Sequence, residues 1–251
     1  MSAPLTISIV SPAHNAAAFY PCWLETIRGQ RYDQLEAVLI DDGSEDDLAG
    51  LAAHAPPFVR YVRQAQRGPA AARNLGLRVS SGDLIAFLDL DDLWAPGHLS
   101  RCAAALERVP QAGIAQGLIR NITGGFYCSE AYRFINLGAS VFRRSVFDRC
   151  GVFDESLRFA EDFDFLMRCW ENCIRKVDLA ELSLLYHRHD GNMTRGLSTL
   201  DLGAVRVFKR RLERMRAGRL AYDAFNDMRI GFPQYIGCTI NPHDQGLREP
   251  I

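Results

Sequence analysis

Net charge is nearly absent from this chain of 251 residues, in which 29 Lys plus Arg stand against 30 Asp plus Glu. No global field therefore marks nucleic acid or a strongly acidic substrate as the main partner, and no nucleic acid is expected. Long apolar runs are missing as well. None approaches the length needed to span a bilayer, and Met1-Ser2-Ala3-Pro4 offers no basic segment leading into an apolar one, so a soluble cytoplasmic protein is the expectation. The seven cysteines (Cys22, Cys102, Cys128, Cys150, Cys169, Cys173, Cys238) are odd in number and scattered, with no Cys-x-x-Cys pair. That excludes a zinc ribbon and argues against a disulfide framework, leaving buried thiols in a reducing compartment. Internal repeats and low-complexity tracts are absent too.

What is present is 28.1 kDa with 48% hydrophobic residues, enough for one α/β core. Four short apolar runs, Leu5 to Val10, Leu35 to Ile40, Phe58 to Val62 and Leu84 to Leu88, are continuous rather than alternating, as parallel strands covered on both faces must be. Helical patterns fall between them, from about Phe19 to Gln30, Glu45 to Ala53 and Pro69 to Val79, with Pro69 suited to a first turn. Further on, helices are predicted near Pro96 to Glu107 and Glu161 to Cys173, and strands near Gly113 to Ile122, Gly138 to Phe142 and Ser183 to His187. The organisation expected is one domain over 1–230, with a nucleotide-binding half (1–95), an acceptor-side half (96–200) and an amphipathic basic helix (201–218). The remainder, 231–251, reads as an irregular tail.

The chemistry gathers at strand ends. Leu84-Ile85-Ala86-Phe87-Leu88-Asp89-Leu90-Asp91-Asp92 is a buried-strand pattern that stops in three carboxylates within four residues. Ligands of open α/β sheets bind at the carboxyl ends of parallel strands, and clustered carboxylates there repel unless a cation separates them. Mg²⁺ or Mn²⁺ prefers one or two carboxylates together with phosphate oxygens, so Asp-x-Asp points to a metal-bound diphosphate. An acidic turn leading into a helix would read the same way in isolation. Asp41-Asp42-Gly43-Ser44, after the second run, is also an ordinary turn by itself, with Ser44 able to cap the next helix. A third polar corner, Ser11-Pro12-Ala13-His14-Asn15, follows the first run.

Taken in order, these segments resemble the family 2 glycosyltransferases over roughly residues 5–195, which implies the GT-A fold, a Rossmann-like, mainly parallel sheet flanked by helices. Ile9 to Asn15 is similar to the family's Pro-x-Tyr-Asn loop, with His14 where Tyr is usual, and places Pro12, His14 and Asn15 at the nucleotide. By the same resemblance Asp42 binds the nucleobase. Gly68-Pro69-Ala70-Ala71-Ala72-Arg73-Asn74-Leu75-Gly76 resembles the family's Gly-x-x-x-Ala-Arg-Asn-x-Gly helix and puts Arg73 on the nucleotide side. Asp89, Leu90 and Asp91 fall on the Asp-x-Asp, with Asp91 on the metal, Asp89 contacting the ribose or supporting the metal, and Leu90 at the nucleotide-sugar. Val152 to Asp164 resembles the stretch ending in Glu-Asp, which makes Asp162 the catalytic base. Tyr186-His187-Arg188-His189 resembles the Arg-x-His segment, so His189 would touch the metal or the departing diphosphate.

The resemblance implies an inverting transfer from a nucleoside-diphosphate sugar, UDP favoured and GDP or dTDP as alternatives. The acceptor would be a hydroxyl on a glycan, lipid-linked or other molecule, and the setting polysaccharide or glycoconjugate biosynthesis. Two competitors stand beside it: a nucleotidyltransferase, which would want a basic Gly-rich loop after the first run, and a degenerate sugar-nucleotide binder. A dinucleotide oxidoreductase is weaker still, for want of G-x-G-x-x-G. Lastly, Val205, Phe208, Leu212 and Met215 recur at helical spacing and are expected to pack on something. Arg206, Lys209, Arg210, Arg211, Arg214 and Arg216 would then face outward, where peripheral contact with an anionic membrane competes with plain solvation.

Overall fold

Continuously buried strands form the centre of the sheet. In the computed structural model, which describes residues 4–193, 203–218, 231–237 and 249–250, β1 (Ile7–Ala13), β2 (Leu35–Asp42), β3 (Val59–Gln64) and β4 (Leu84–Phe87) run parallel in the order β3-β2-β1-β4. All four residues of β4 are buried, whereas edge strand β3 is only partly buried and exposes Arg60 and Arg63. Beyond β4 the direction reverses. β8 (Ser140–Arg143) pairs antiparallel with both β4 and β6 (Ala112–Thr123), and β6 in turn pairs parallel with the long β9 (Arg175–His187). Three two-residue strands complete the sheet: β5 (Leu93–Trp94) on β9, β7 (Phe126–Tyr127) on β6, and β10 (Glu249–Pro250) on β7.

Successive residues of a strand face opposite sides, so each central strand feeds two cores. Ile7 and Ile9 of β1 and Leu84 and Ala86 of β4 join α1 (Tyr20–Gly29) and α4 (His98–Arg108) through Trp23, Ile27, Leu99 and Leu106. Val10, Ile85 and Phe87 face the other way, into a core shared with α3 (Pro69–Val79), α5 (Arg144–Cys150) and α6 (Glu161–Glu171). There Phe147 of α5 stacks on Phe165 of α6 at 4.9 Å, and Phe87, Phe142 and Phe153 close around the pair. This aromatic block, in the second core, links α6 to Phe87, the last residue of β4.

The described residues overturn several expectations. α2 (Leu48–Ala52) starts later than the run from Glu45, because Asp46 is drawn off to accept hydrogen bonds from Ala17 N (2.7 Å) and Leu48 N (3.3 Å). Ser44 caps no helix; its hydroxyl accepts from Asn15 N at 3.0 Å. Cys22 is exposed and Cys173 only partly buried, unlike the other described thiols, and Cys238 lies outside the described residues. Within the expected tail, α8 (Phe232–Tyr235) buries Phe232 and Tyr235 against Trp170 and Ile174. Most plainly, α7 (Ala204–Arg216) is turned the other way round from its reading. Val205, Phe208, Leu212 and Met215 are 40–61% exposed, while Val207 is fully buried and Arg210, Arg211 and Arg214 face the domain.

Two close approaches bring the site-bearing elements together. Gly82 lies against β1, where a Cβ would sit 2.6 Å from Ser8 N, and Gly76 of α3 lies where a Cβ would meet Val10 Cγ1 at 2.3 Å. Gly76 closes the Ala-Arg-Asn-x-Gly segment, so the motif carries the contact that lets α3 lie flat on β1. Gly76→Ala is expected to cost about 1–3 kcal/mol by overpacking, read as a lowered midpoint in urea with an unchanged m-value.

Candidate active site

Three corners at the carboxyl ends of β1, β2 and β4 meet the amino end of α6 and the segment after β9. The first two corners are sewn together. Asn15 N donates to Ser44 Oγ (3.0 Å), Glu45 N donates to Asn15 Oδ1 (2.7 Å), and His14 Nδ1–H donates to the Asp42 carbonyl (3.0 Å). With its proton on Nδ1, His14 Nε2 accepts from Gln66 (3.0 Å) and leaves the ring exposed beside Asn15, whose φ of 51° is left-handed. Pro12 is partly buried in register with Ile40.

Asp41 and Asp42 divide the labour at β2. Asp41 is fully buried and accepts from Tyr61 OH, Arg63 (2.7 Å) and Ser44 N (2.7 Å). Burial works to raise its pKa, but the Tyr61 and Ser44 hydrogen bonds and the Arg63 charge overcome it and hold the carboxyl below the ordinary range. Asp42 accepts from Gln64 Nε2 (2.7 Å), Arg67 N (2.8 Å) and Gly68 N (2.7 Å) and is only 4% exposed. Its carboxylate thus shapes the Arg67–Gly68 turn as well as facing the corner where the resemblance puts the base. Gln64, Gln66 and Arg67 were not singled out in the sequence, because nothing local marks a residue that serves a partner more than 20 positions away.

Arg73 joins β4 to α6. Its Nη2 donates to both oxygens of Asp89 (3.0 and 3.2 Å) and its Nη1 to Glu161 Oε1 (2.6 Å), with the side chain 8% exposed. The guanidinium is therefore spent on two carboxylates, and its influence on a bound nucleotide would run through Asp89, whose side chain is 45% exposed. Leu90, in contrast, points into the core and leaves only its backbone for a ligand. Asp92 is also directed inward. It accepts from His187 N at 2.9 Å, so it pins the end of β9 beside β4, and burial together with Asp91 and Asp89 pushes its pKa well up.

Asp91 lies next to His189. The Asp91 carboxyl is raised by burial and by Asp89, and drawn partly back by His189, whose Nε2 is 2.9 Å from Oδ2. Gly191 N donates to His189 Nδ1 at 3.1 Å, which fixes the proton on Nε2, facing Asp91. Asn192, also not singled out in the sequence, closes this turn by accepting from His189 N (2.6 Å) and reaching Asp91 (3.4 Å). Phe19 packs on the His189 ring at 5.1 Å and on His187 at 6.2 Å.

The donor set can be tested against a divalent cation. No group of three or more His, Cys, Asp or Glu among the described residues could hold a metal. Two protein ligands are nonetheless what Mg²⁺ or Mn²⁺ uses when substrate phosphates and water complete its shell. Asp91 fits, being crowded by Asp89 and raised by it. His189 fits only with its proton moved to Nδ1, which would require the Gly191 contact to open.

At the amino end of α6, Ala160 takes a left-handed φ of 62°, a conformation that costs a non-glycine residue about 1 kcal/mol, and it leads directly into Glu161 and Asp162. Glu161 is tied to Arg73, and Asp164 is tied to Arg168 (2.8 Å). Among the described residues, Asp162 accepts one hydrogen bond, from Phe163 N (2.7 Å). Its desolvated position raises its pKa to about 7, with Glu161 adding to the rise and Arg73 opposing it. A carboxyl at that value can take up and release a proton near neutrality. Asp89, Glu161 and Asp162 thus come together around Arg73, with Asp91 beside Asp89 and His189, whereas Pro12, His14, Asn15 and Asp42 form a separate corner.

Because the folded pKa of Asp162 lies above its ordinary value of 3.8, the folded state binds that proton more tightly, and the resulting stability is lost as pH rises from about 4 to about 7. Asp162→Asn removes the titration. The variant's thermal midpoint relative to the parent is expected to climb across that window and level off above it; a constant difference would show that Asp162 is not raised.

The sequence pattern of glycosyl transferase family 2 matches residues 8–181. A PGL/p-HBAD biosynthesis glycosyltransferase of Mycobacterium bovis is 31% identical over 185 residues, covering 68% of this chain and 72% of that protein. Among solved structures, Staphylococcus aureus TarS 1-349 in complex with UDP-GlcNAc gives a TM-score of 0.67 at 18% identity, over 78% of this chain and 62% of that one. The mannosyltransferase PcManGT of Pyrobaculum calidifontis, in complex with GDP-Man and Mn²⁺, gives 0.66 at 19% identity, over 94% and 73%. At such identities the likeness is one of fold, and the fold is the GT-A fold. Against curated glycosyltransferases of Nostoc sp., Rickettsia bellii and Haemophilus influenzae the chain spans 37%, 27% and 61% of the relative's own length.

Proposed function

The chain belongs to glycosyl transferase family 2, and from that premise we propose that it moves a sugar from a nucleoside diphosphate, UDP favoured, to an acceptor hydroxyl in polysaccharide or glycoconjugate synthesis. One observation carries the reading: the desolvated Asp162 stands beside the Arg73 bridge to Asp89, two residues before Asp91 in the chain. A general base and an anion-handling corner are the two things such a transfer needs.

Each residue then has a task. Pro12, His14, Asn15 and Asp42 hold the nucleoside, with the exposed His14 ring as the surface for the base. Asp89 receives the ribose and is kept in place by Arg73, which also keeps Glu161 neutralised so that Asp162 alone is free to accept a proton. Asp91 and His189 would hold Mn²⁺ or Mg²⁺, which when bound supplies compensation for charge growing on the leaving diphosphate. The acceptor oxygen attacks the anomeric carbon on the face away from the diphosphate and gives its proton to Asp162. The bond from that carbon to the phosphate oxygen breaks with its electron pair leaving on the nucleoside diphosphate, and the configuration inverts.

Two measurements test this. With UDP and Mn²⁺ at about 100 times the dissociation constant, about 2.7 kcal/mol of added stability is expected, lost with EDTA and in Asp91→Asn; if UDP, GDP, dTDP and CMP all leave the transition unmoved, the transferase reading fails. Asp162→Asn is expected to keep the donor-induced shift while transfer falls about 10²- to 10⁴-fold, the usual contribution of a general base. Equal transfer rates would remove Asp162 from that role.

A further inference from the structure

The inverted helix α7 has a fixed rotation. Arg214 donates to Glu171 (2.8 and 3.1 Å) and Asp164 (3.2 Å), Arg211 pairs with Glu171 (3.5 Å), and Arg210 pairs with Asp154 and Ser156. The Glu171 side chain is fully buried and that of Asp164 is 2% exposed. Turning the helix to bury its apolar stripe would leave the fully buried Glu171 without the Arg211 and Arg214 that pair with it, and Asp164 with Arg168 alone, an arrangement far costlier than an exposed apolar side chain. Val205, Leu212 and Met215 therefore face away from the domain, with the half-exposed Phe208 at the edge of the stripe, along about 15 Å of helix at 1.5 Å per residue.

Cations flank that stripe. Arg206, Lys209 and Arg216 are exposed and have no ion-pair partner among the described residues, against the single exposed acid Glu213 on this helix. A second copy packed on this face would bring two mainly cationic borders together. A surface that is apolar within and anionic at its boundary matches both features at once.

We propose that α7 docks the protein on an anionic lipid surface, with the apolar stripe inserted at the headgroup boundary and Arg206, Lys209 and Arg216 against the phosphates. Phe208 packs edge-on against Phe163 at 5.9 Å, and Phe163 follows Asp162 in the chain. The docked face thus adjoins the base, so an acceptor hydroxyl carried on a membrane amphiphile would arrive beside Asp162. That last step rests on the transfer reading; the docking itself does not.

The test is co-sedimentation of the full chain with vesicles of phosphatidylcholine alone or with a third phosphatidylglycerol, without any donor, so its result is independent of nucleotide binding. The parent protein is expected to bind the anionic vesicles at least about ten-fold more tightly than the neutral ones. The combined variant Val205→Ser, Leu212→Ser, Met215→Ser, which leaves the Phe208–Phe163 contact in place, and the pair Lys209→Glu, Arg216→Glu are each expected to lose at least about ten-fold. Absence of binding by the parent, or equal binding by the serine variant, overturns the proposal. So does a dimer in solution that the serine variant abolishes, since the stripe then belongs to a second copy. A fall of more than about 4 °C in the serine variant's unfolding midpoint also overturns it, by showing that another part of the chain packs there.

Discussion

Like charges crowded at the ends of parallel strands are the constraint from which this molecule is built. Asp89, Asp91 and Asp92 follow β4, and Glu161 and Asp162 open α6, so five carboxylates converge where two elements meet. The buried Arg73 neutralises Asp89 and Glu161 directly. Asp92 is turned inward to the His187 amide, and Asp91 rests against His189. Asp162 remains, desolvated and without a cation bonded to it. The reactivity of the site is thus the residue of an electrostatic problem solved for four groups and left unsolved for the fifth.

The same settlement explains why the scaffold is arranged as it is. Arg73 reaches both partners only because Gly76 lets α3 lie against Val10, and because the Phe147–Phe165 block packs α6 in the core that Phe87 of β4 enters. Packing and charge therefore support one another: the aromatic block brings carboxylates together that would otherwise part, and the guanidinium makes that approach tolerable.

How much of this could be read from the residues depends on how local the cause is. β1, β2 and β4 are legible because a strand covered on both faces has no choice but a continuous apolar run, and α3 because Pro69 and the apolar spacing mark it. β5 and α5 are too short to show a period. α7 was read backwards, since spacing alone says that an apolar stripe goes inward; the decision lies with Asp164 and Glu171, buried on another helix more than 40 residues earlier. Likewise the strand-end carboxylates of the site are visible as a cluster, whereas the amides of Arg67 and Gly68 that hold Asp42, and the Asn192 side chain that reaches Asp91, act at distances along the chain that no window contains.

The parallel pairing of β6 with β9 has a consequence for the order of assembly. The corners after β1, β2 and β4 are complete within the first 92 residues, yet the Arg73–Glu161 bridge spans 88 positions and the Asp91–His189 contact spans 98. Contacts that distant close late, because the loop entropy they cost is recovered only when the intervening chain is in place. On a ribosome, which releases the chain from its amino end, the acidic corner would hold Arg73 on Asp89 while Asp91 and Asp92 lacked their His189 and His187 partners until β9 emerged. The final steps of folding and the creation of the reactive centre are then a single event.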